Sequence, residues 1–277
     1  MSRELKLRII SAIVLAAVVL SATWSGGLPF DIVAAVIAVL VYYEWSTITK
    51  LPEMHFKANA FGWMIVLLIA CNIVLYDGDL LMPLLCGGTI TAILVALFAR
   101  GSWWLPAGIV YAGLSGISLA AIRGDNQAGF VAMLFIFAIV WGTDILAYFV
   151  GRAIGGPKLA PRISPGKTWS GAIGGTVAGV VASAILTLVV FSQLSLWTMA
   201  LAFLLSVASQ IGDLFESFIK RRFGVKDSSH LIPGHGGVMD RVDGLVFACF
   251  LAFLLTLVDA AMKDHASISV AAFLFGL

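Results

Sequence analysis

Charge is what this chain has least of. Only 12% of its residues are charged, while 61% are hydrophobic and mean hydropathy is +1.03. A soluble domain carries about a quarter charged residues. The shortage excludes an ordinary water-soluble globule, and no nucleic-acid partner is expected. Cysteine is scarce as well. Cys71, Cys86 and Cys249 each sit in apolar segments, at spacings that suit neither a disulfide framework nor a zinc site, and read as small packing residues. Internal repeats, low-complexity linkers and room for a soluble domain between apolar runs are all missing. The net charge of +2 adds little, because bilayer proteins sort charge by side rather than by total.

What is present is apolar runs of membrane-spanning length, about 20 residues each. They fall at Leu7–Trp24, Phe30–Thr49, Phe61–Tyr76, Leu80–Phe98, Trp103–Ile122, Phe130–Val150, Gly171–Phe191, Trp197–Lys220 and Val242–Ala260. The expected fold is therefore all-α, a polytopic transmembrane helical bundle of about nine spans. Residues 1–125 supply N-terminal spans and 126–277 a C-terminal region with the polar motifs, together one integral membrane unit. The apolar tail after Lys263 is too short to span. With the N-terminus cytoplasmic, all but Arg123 and Lys263 of the 17 Lys and Arg fall on the inner side, Arg3, Lys6 and Arg100 among them, and the C-terminus lies outside. The first span has the basic flank and modest core of a signal peptide, with Ser21-Ala22-Thr23 as a poor cleavage site; an uncleaved helix is expected. His55 reads as a solvated histidine in an interfacial turn. Trp103, Trp104, Tyr111, Trp141, Trp169 and Trp197 near span ends read as aromatic belts.

Against this background the polar groups stand out. Asp144 lies inside the sixth span, one turn before Tyr148, and a carboxylate at that depth needs a partner or water. The run from Gly155 to Gly171 holds three prolines, which exclude a helix, and Lys158, Arg162, Ser164, Lys167 and Thr168 there offer donors suited to polyphosphate. Its spacing is not that of a Walker A loop. Gly171, Gly175 and Gly179 form a small-residue stripe, a candidate interface between protomers. At the end of the eighth span, Asp213, Glu216, Ser217 and Lys220 share one helical face. The tight Pro233-Gly234-His235-Gly236-Gly237 loop follows, then Asp240 and Asp243 entering the ninth span. Carboxylates beside cationic residues suggest a hard-metal site. Oxygen ligands suit magnesium, which also bridges to substrate phosphates, whereas His and Cys are too few and scattered for zinc.

The segment Ser217–Asp243 resembles the signature of the phosphatidate cytidylyltransferases, the CDP-diacylglycerol synthases. That pattern runs S-x-x-K-R, K-D, P-G-H-G-G, D-R-x-D, matched by Ser217, Lys220, Arg221, Lys226, Asp227, Pro233 to Gly237, Asp240, Arg241 and Asp243. The D-x-x-A-Y-x-x-G-R around Asp144 and the S-P-x-K-T-W around Lys167 fit too, so the resemblance covers about Trp141 to Gly244. One position departs: the family usually has Glu where this chain has Ser170.

The resemblance implies transfer of CMP from CTP to phosphatidate, with release of pyrophosphate. It also implies a homodimer and a Mg²⁺-dependent site, with a second cation such as K⁺. Asp213 and Asp240 match the metal-binding aspartates, with Glu216 beside them. Lys220, Asp213, Asp240, Asp243 and Asp144 are the expected catalytic set. Lys167, Ser217, Arg221, Lys226, His235, Gly236, Gly237 and Arg241 are the expected substrate contacts, the loop amides weighing more than the His235 imidazole. No side-chain nucleophile is needed, because the lipid phosphate is already anionic. CTP is cytoplasmic and the headgroup interfacial, so the expected location is a bacterial inner membrane with the site facing the cytoplasm and opening to membrane lipid. The alternatives are another CTP-dependent lipid cytidylyltransferase, a lipid kinase, an inactive homologue, or a transporter using intramembrane carboxylates.

Overall fold

The computed structural model describes residues 3–75, 78–99, 101–263 and 269–276. Tyr76 and Arg100 lie outside the described residues, as do the side chains of Arg3 and Lys6. The elements are α1 (Arg3–Ser25), α2 (Gly27–Ile48), α3 (Leu51–Met54), α4 (Phe56–Leu75), α5 (Gly78–Phe98), α6 (Trp104–Arg123), α7 (Gln127–Ile154), β1 (Lys158–Ala160), β2 (Ser164–Thr168), α8 (Trp169–Phe191), α9 (Leu196–Arg222), α10 (Met239–Met262) and α11 (Val270–Phe275). Among the described residues nine helices are long and apolar enough to cross a membrane, matching the nine expected spans. The chain is an all-α integral membrane protein.

It divides into two compact units: Met1–Ala120 with Phe223–Arg241, and Ala121–Arg222 with Val242–Leu277. In the first unit, α2 packs on α1 and α4, and α4 on α5. Small residues let α6 approach bulky neighbours. A Cβ on Gly108 would meet the Trp45 indole at 2.5 Å, and one on Gly113 would meet Leu85 at 2.7 Å. Trp45 Nε1 donates to the Trp104 carbonyl at 2.8 Å, and Tyr111 packs 5.4 Å from the Trp45 ring. Tyr111 is thus buried inside this unit rather than in a belt, and Trp104 makes a tilted contact with Trp45 and an edge-on contact with Phe223. Aromatic rings with a polar tip serve either place, and only the neighbours decide.

In the second unit, α7 and α8 form the most extensive pairing. Gly171, Gly175 and Gly179 face α7: a Cβ there would meet the carbonyls of Ala147 at 2.7 Å, Thr143 at 2.6 Å and Ile139 at 2.9 Å. The stripe therefore packs within one chain, and the expected protomer interface is not where it is used. Ile173, Val177, Val181 and Ile185, two positions on, keep the same four-residue spacing and are exposed. One helix thus carries a smooth inner row and a β-branched outer row. Thr143 and Ser206 hydroxyls share a 2.7 Å hydrogen bond, and Gln210 Nε2 donates to Thr176 Oγ1 at 2.8 Å, fastening α9 to α7 and α8. The apolar tail forms α11, whose Phe273 carbonyl accepts from Trp197 Nε1 at 3.0 Å.

Candidate active site

The second unit gathers the expected polar groups around the α9–α10 crossing. Gly212 makes the crossing close: a Cβ there would meet the Asp243 carbonyl at 2.5 Å and Phe247 Cβ at 2.7 Å. Gly244 sits against the Ser209 carbonyl in the same way. These contacts bring Asp213 and Asp243 side by side. Asp213, Asp144 and Lys167 are all close enough to Asp243 to bear on its charge.

Lys167 arrives from the proline-rich run. No helix forms there; β1 and β2 make a short antiparallel hairpin, with Lys158 opposite Thr168 and Ala160 opposite Ser164. Trp169 N–H donates to the Pro157 carbonyl at 3.1 Å, and Thr168 caps α8 by accepting from Gly171 N–H at 3.1 Å. A cap of that kind stabilises a helix start by about 1 kcal/mol. Ser170, at the departing position, donates its hydroxyl to the Gly155 carbonyl and so ties the hairpin's base. Held in this way, Lys167 Nζ forms an ion pair with Asp213 Oδ2.

The shared face of α9 resolves into two pairs. Ser217 Oγ donates to Asp213 Oδ1 at 3.4 Å, and Lys220 Nζ pairs with Glu216 Oε2 at 2.5 Å. Glu216 and Lys220 are buried, whereas Asp213 and Ser217 are half-buried. Arg152, beyond Asp144, donates to Tyr148 Oη at 2.5 Å. Arg221 lies exposed at the helix end.

The donor set has the chemistry of a hard cation's surroundings: clustered carboxylates and no soft ligand. Among the described residues no three His, Cys, Asp or Glu side chains form a ready ligand group. Carboxylate oxygens are the ligand type that magnesium takes, one or two at a time, with waters and substrate phosphates filling the rest.

The first unit holds the other part of the signature. The turn after Ile232 needs glycine at Gly234 (φ +76°) and Gly236 (φ +83°). The loop closes on itself, Ile232 N–H donating to the Gly236 carbonyl at 2.8 Å. Asp240 Oδ2 accepts from the N–H of Ser228 at 2.9 Å, the Ser228 hydroxyl at 2.8 Å and the N–H of Gly237 at 2.8 Å. His235 Nδ1 and Ser11 Oγ share a 2.7 Å hydrogen bond. Desolvation, then the charges of Arg241 and Arg8, hold this imidazole's pKa below the usual histidine value. Lys226 and Arg241 are exposed.

Three residues were missed in the sequence. Glu44 on α2 is fully buried. Its Oε1 accepts from Ser229 Oγ at 2.5 Å and Val238 N–H at 2.8 Å; its Oε2 accepts from Ser228 Oγ at 3.0 Å and Met239 N–H at 2.6 Å. The amides of Gly237, Val238 and Met239 therefore serve carboxylates of this chain. The signal was available: Glu44 is a carboxylate inside an apolar span, the same oddity that marks Asp144. Ser228 and Ser229 carried no such mark.

Comparison with known proteins shows the family. Residues 6–258 match the model of the family described as the cytidylyltransferase family. A protein of Brucella abortus named phosphatidate cytidylyltransferase is 46% identical over 251 residues, covering 91% of this chain and 93% of the relative. Proteins of the same name from Haemophilus influenzae and Bacillus subtilis are 34% identical over 292 residues and 31% over 268; they cover 91% and 92% of this chain and 100% and 98% of their own lengths. The matched residues run through both compact units and take in the buried carboxylates, the hairpin lysine and the glycine-rich loop, and on that ground the chain belongs to the cytidylyltransferase family.

Proposed function

We propose that this protein transfers the cytidylyl group of CTP to phosphatidate, giving CDP-diacylglycerol and pyrophosphate. The observation that carries the reading is the pairing of Lys167 with Asp213 beside Asp243, a carboxylate cluster compensated by a lysine on a flexible stem. The relatives' shared name supports the substrates.

A phosphate oxygen of the lipid attacks the α-phosphorus of CTP. The bond from that phosphorus to the bridging oxygen breaks, and pyrophosphate leaves. A bound Mg²⁺ would neutralise charge on the departing phosphates. The protein's task is to position the two substrates and stabilise charge. Lys167 exchanges Asp213 for a phosphate, and Lys220 and Arg221 meet phosphates nearby. Glu216 holds the Lys220 ammonium, and Ser217 orients Asp213. Asp213 is proposed as a cation ligand with Asp144 and Asp243 beside it. Asp240 is proposed as a ligand on its own chemistry, since a metal-binding carboxylate is held by hydrogen bonds as its Oδ2 is. Lys226, His235, Gly236 and Arg241 are proposed as substrate contacts, with Gly237 shaping the loop.

A K⁺ ion as second cation and a homodimer are proposed on the resemblance alone. The positive-inside charge pattern supports a bacterial cytoplasmic membrane, with an active site facing the cytoplasm and open to lipid. The test is pyrophosphate release by purified protein in detergent with CTP, phosphatidate and Mg²⁺. Release that needs all three, and falls about a hundredfold or more in Asp213→Asn, is expected. Folded protein that releases none overturns the reading.

A further inference from the structure

Glu44 lies 184 to 195 residues away in sequence from everything it holds. It is wholly buried, and a carboxylate so placed costs several kcal/mol unless its charge is answered. The Ser229 hydroxyl and the N–H groups of Val238 and Met239 answer it, joined by the Ser228 hydroxyl, whose one proton is shared with Asp240, and all belong to one segment, Ser228 to Met239. Two are backbone N–H groups at the start of α10, where a helix presents unsatisfied donors and partial positive charge. Glu44 thus fills, from inside the chain, the anion site that the α10 N-terminus offers.

The contact also runs onward. The Ser228 hydroxyl lies between Glu44 Oε2 and Asp240 Oδ2, at 3.0 and 2.8 Å, and so joins the buried carboxylate to a signature aspartate. Gly237 is where the arrangement is tightest, because a Cβ there would run into both Ser228 Oγ and Glu44 Oε1. This accounts for the second glycine of the Gly-Gly pair without any substrate. The first, Gly236, needs its positive φ.

We propose that Glu44 is a positioning residue for nucleotide turnover: it sets the pose of the 228–240 loop, and through Ser228 that of Asp240. The proposal rests on the cytidylyltransfer reading. Glu44→Gln separates it from a purely structural tie. The amide keeps one acceptor oxygen and turns an NH₂ toward one pair of donors. Hydroxyls can rotate and accept, but a backbone N–H cannot. Whichever way the amide faces, Val238 or Met239 loses its acceptor.

The experiment pairs hydrogen exchange with kinetics on detergent-purified full-length protein. In Glu44→Gln, exchange in peptides covering 228–239 should quicken at least about tenfold while α4 stays protected. At the same time kcat/KM for CTP should fall about 10- to 100-fold, carried by kcat, with the melting temperature near wild type. Faster exchange with kcat/KM within twofold of wild type overturns the proposal, leaving Glu44 a tether only. Unchanged exchange overturns it as well. Should Glu44→Gln not fold, Ser229→Ala removes one donor from the loop side. A roughly two- to tenfold fall in kcat/KM with faster loop exchange then supports the proposal, and no change in either overturns it. Wild type that makes no CDP-diacylglycerol overturns the reaction itself, and Glu44's part in it, before any variant is read.

Discussion

The two units neutralise their carboxylates by different means. In the first, Glu44 and Asp240 are met by hydroxyls and backbone N–H groups. In the second, Asp213 and Glu216 are met by the ammonium groups of Lys167 and Lys220. A backbone dipole is held by the chain and cannot leave without unfolding the loop. An ammonium on four methylenes can leave one anion for another. The first arrangement suits a frame, the second an exchange with incoming phosphate.

Breaking the buried pair should have the largest effect. Lys220→Ala leaves Glu216, 1% exposed, without its ammonium, and a loss of about 3–5 kcal/mol is expected in detergent thermal denaturation, along with activity. The double variant Lys220→Met with Glu216→Leu sharpens the point. Stability should return, since an apolar pair replaces a buried ionic one at little cost, while cytidylyl transfer should not. Recovered turnover would show that the Lys220 charge is structural only.

Lys167→Ala should do the reverse. The side chains of this pair are 27% and 33% exposed, so the stability change should stay within about 1 kcal/mol. KM for CTP should rise about tenfold or more, read from initial rates. A stability loss as large as that of Lys220→Ala would show that Lys167 cannot leave Asp213 without unfolding the protein, against an exchange with phosphate.

The smallest effect concerns His235. Its folded pKa lies below the ordinary value, from desolvation first and then Arg241 and Arg8. The fold therefore favours the neutral ring. Its contribution to stability is present above about pH 6.5 and is lost as pH falls through the lower folded value. Melting temperatures between pH 7.5 and 5.5 should fall more in wild type than in His235→Asn. Equal falls would remove any part for the ring's charge.

How much of this was legible in advance differs from element to element. The nine spans were readable because a bilayer demands about 20 apolar residues, whatever they pack against. Asp144, Asp213, Glu216 and Lys220 were readable because a charge in an apolar run has few reasons to be there. The glycine stripe was readable as a smooth face, but not as the seat of α7, since smoothness does not name its partner. The proline-rich run excluded a helix, yet the β1–β2 pairing needed the register of Lys158 with Thr168. Tyr111 reads as a belt residue but is buried in mid-helix, because ring chemistry is the same at an interface and in a core.

By itself, then, the sequence determined that this is an all-α membrane protein with an acidic and basic site near the ends of its later spans. It also carried the signature of the family, because these rest on composition and on spacing within single helices. Only the tertiary structure decided which charges meet. The Gly212 crossing sets Asp243 beside Asp213, the hairpin brings Lys167 to the same carboxylate, and Glu44 reaches across nearly two hundred residues to the glycine-rich loop. Such pairings depend on how far one helix lets another approach, and no local pattern of residues records that distance.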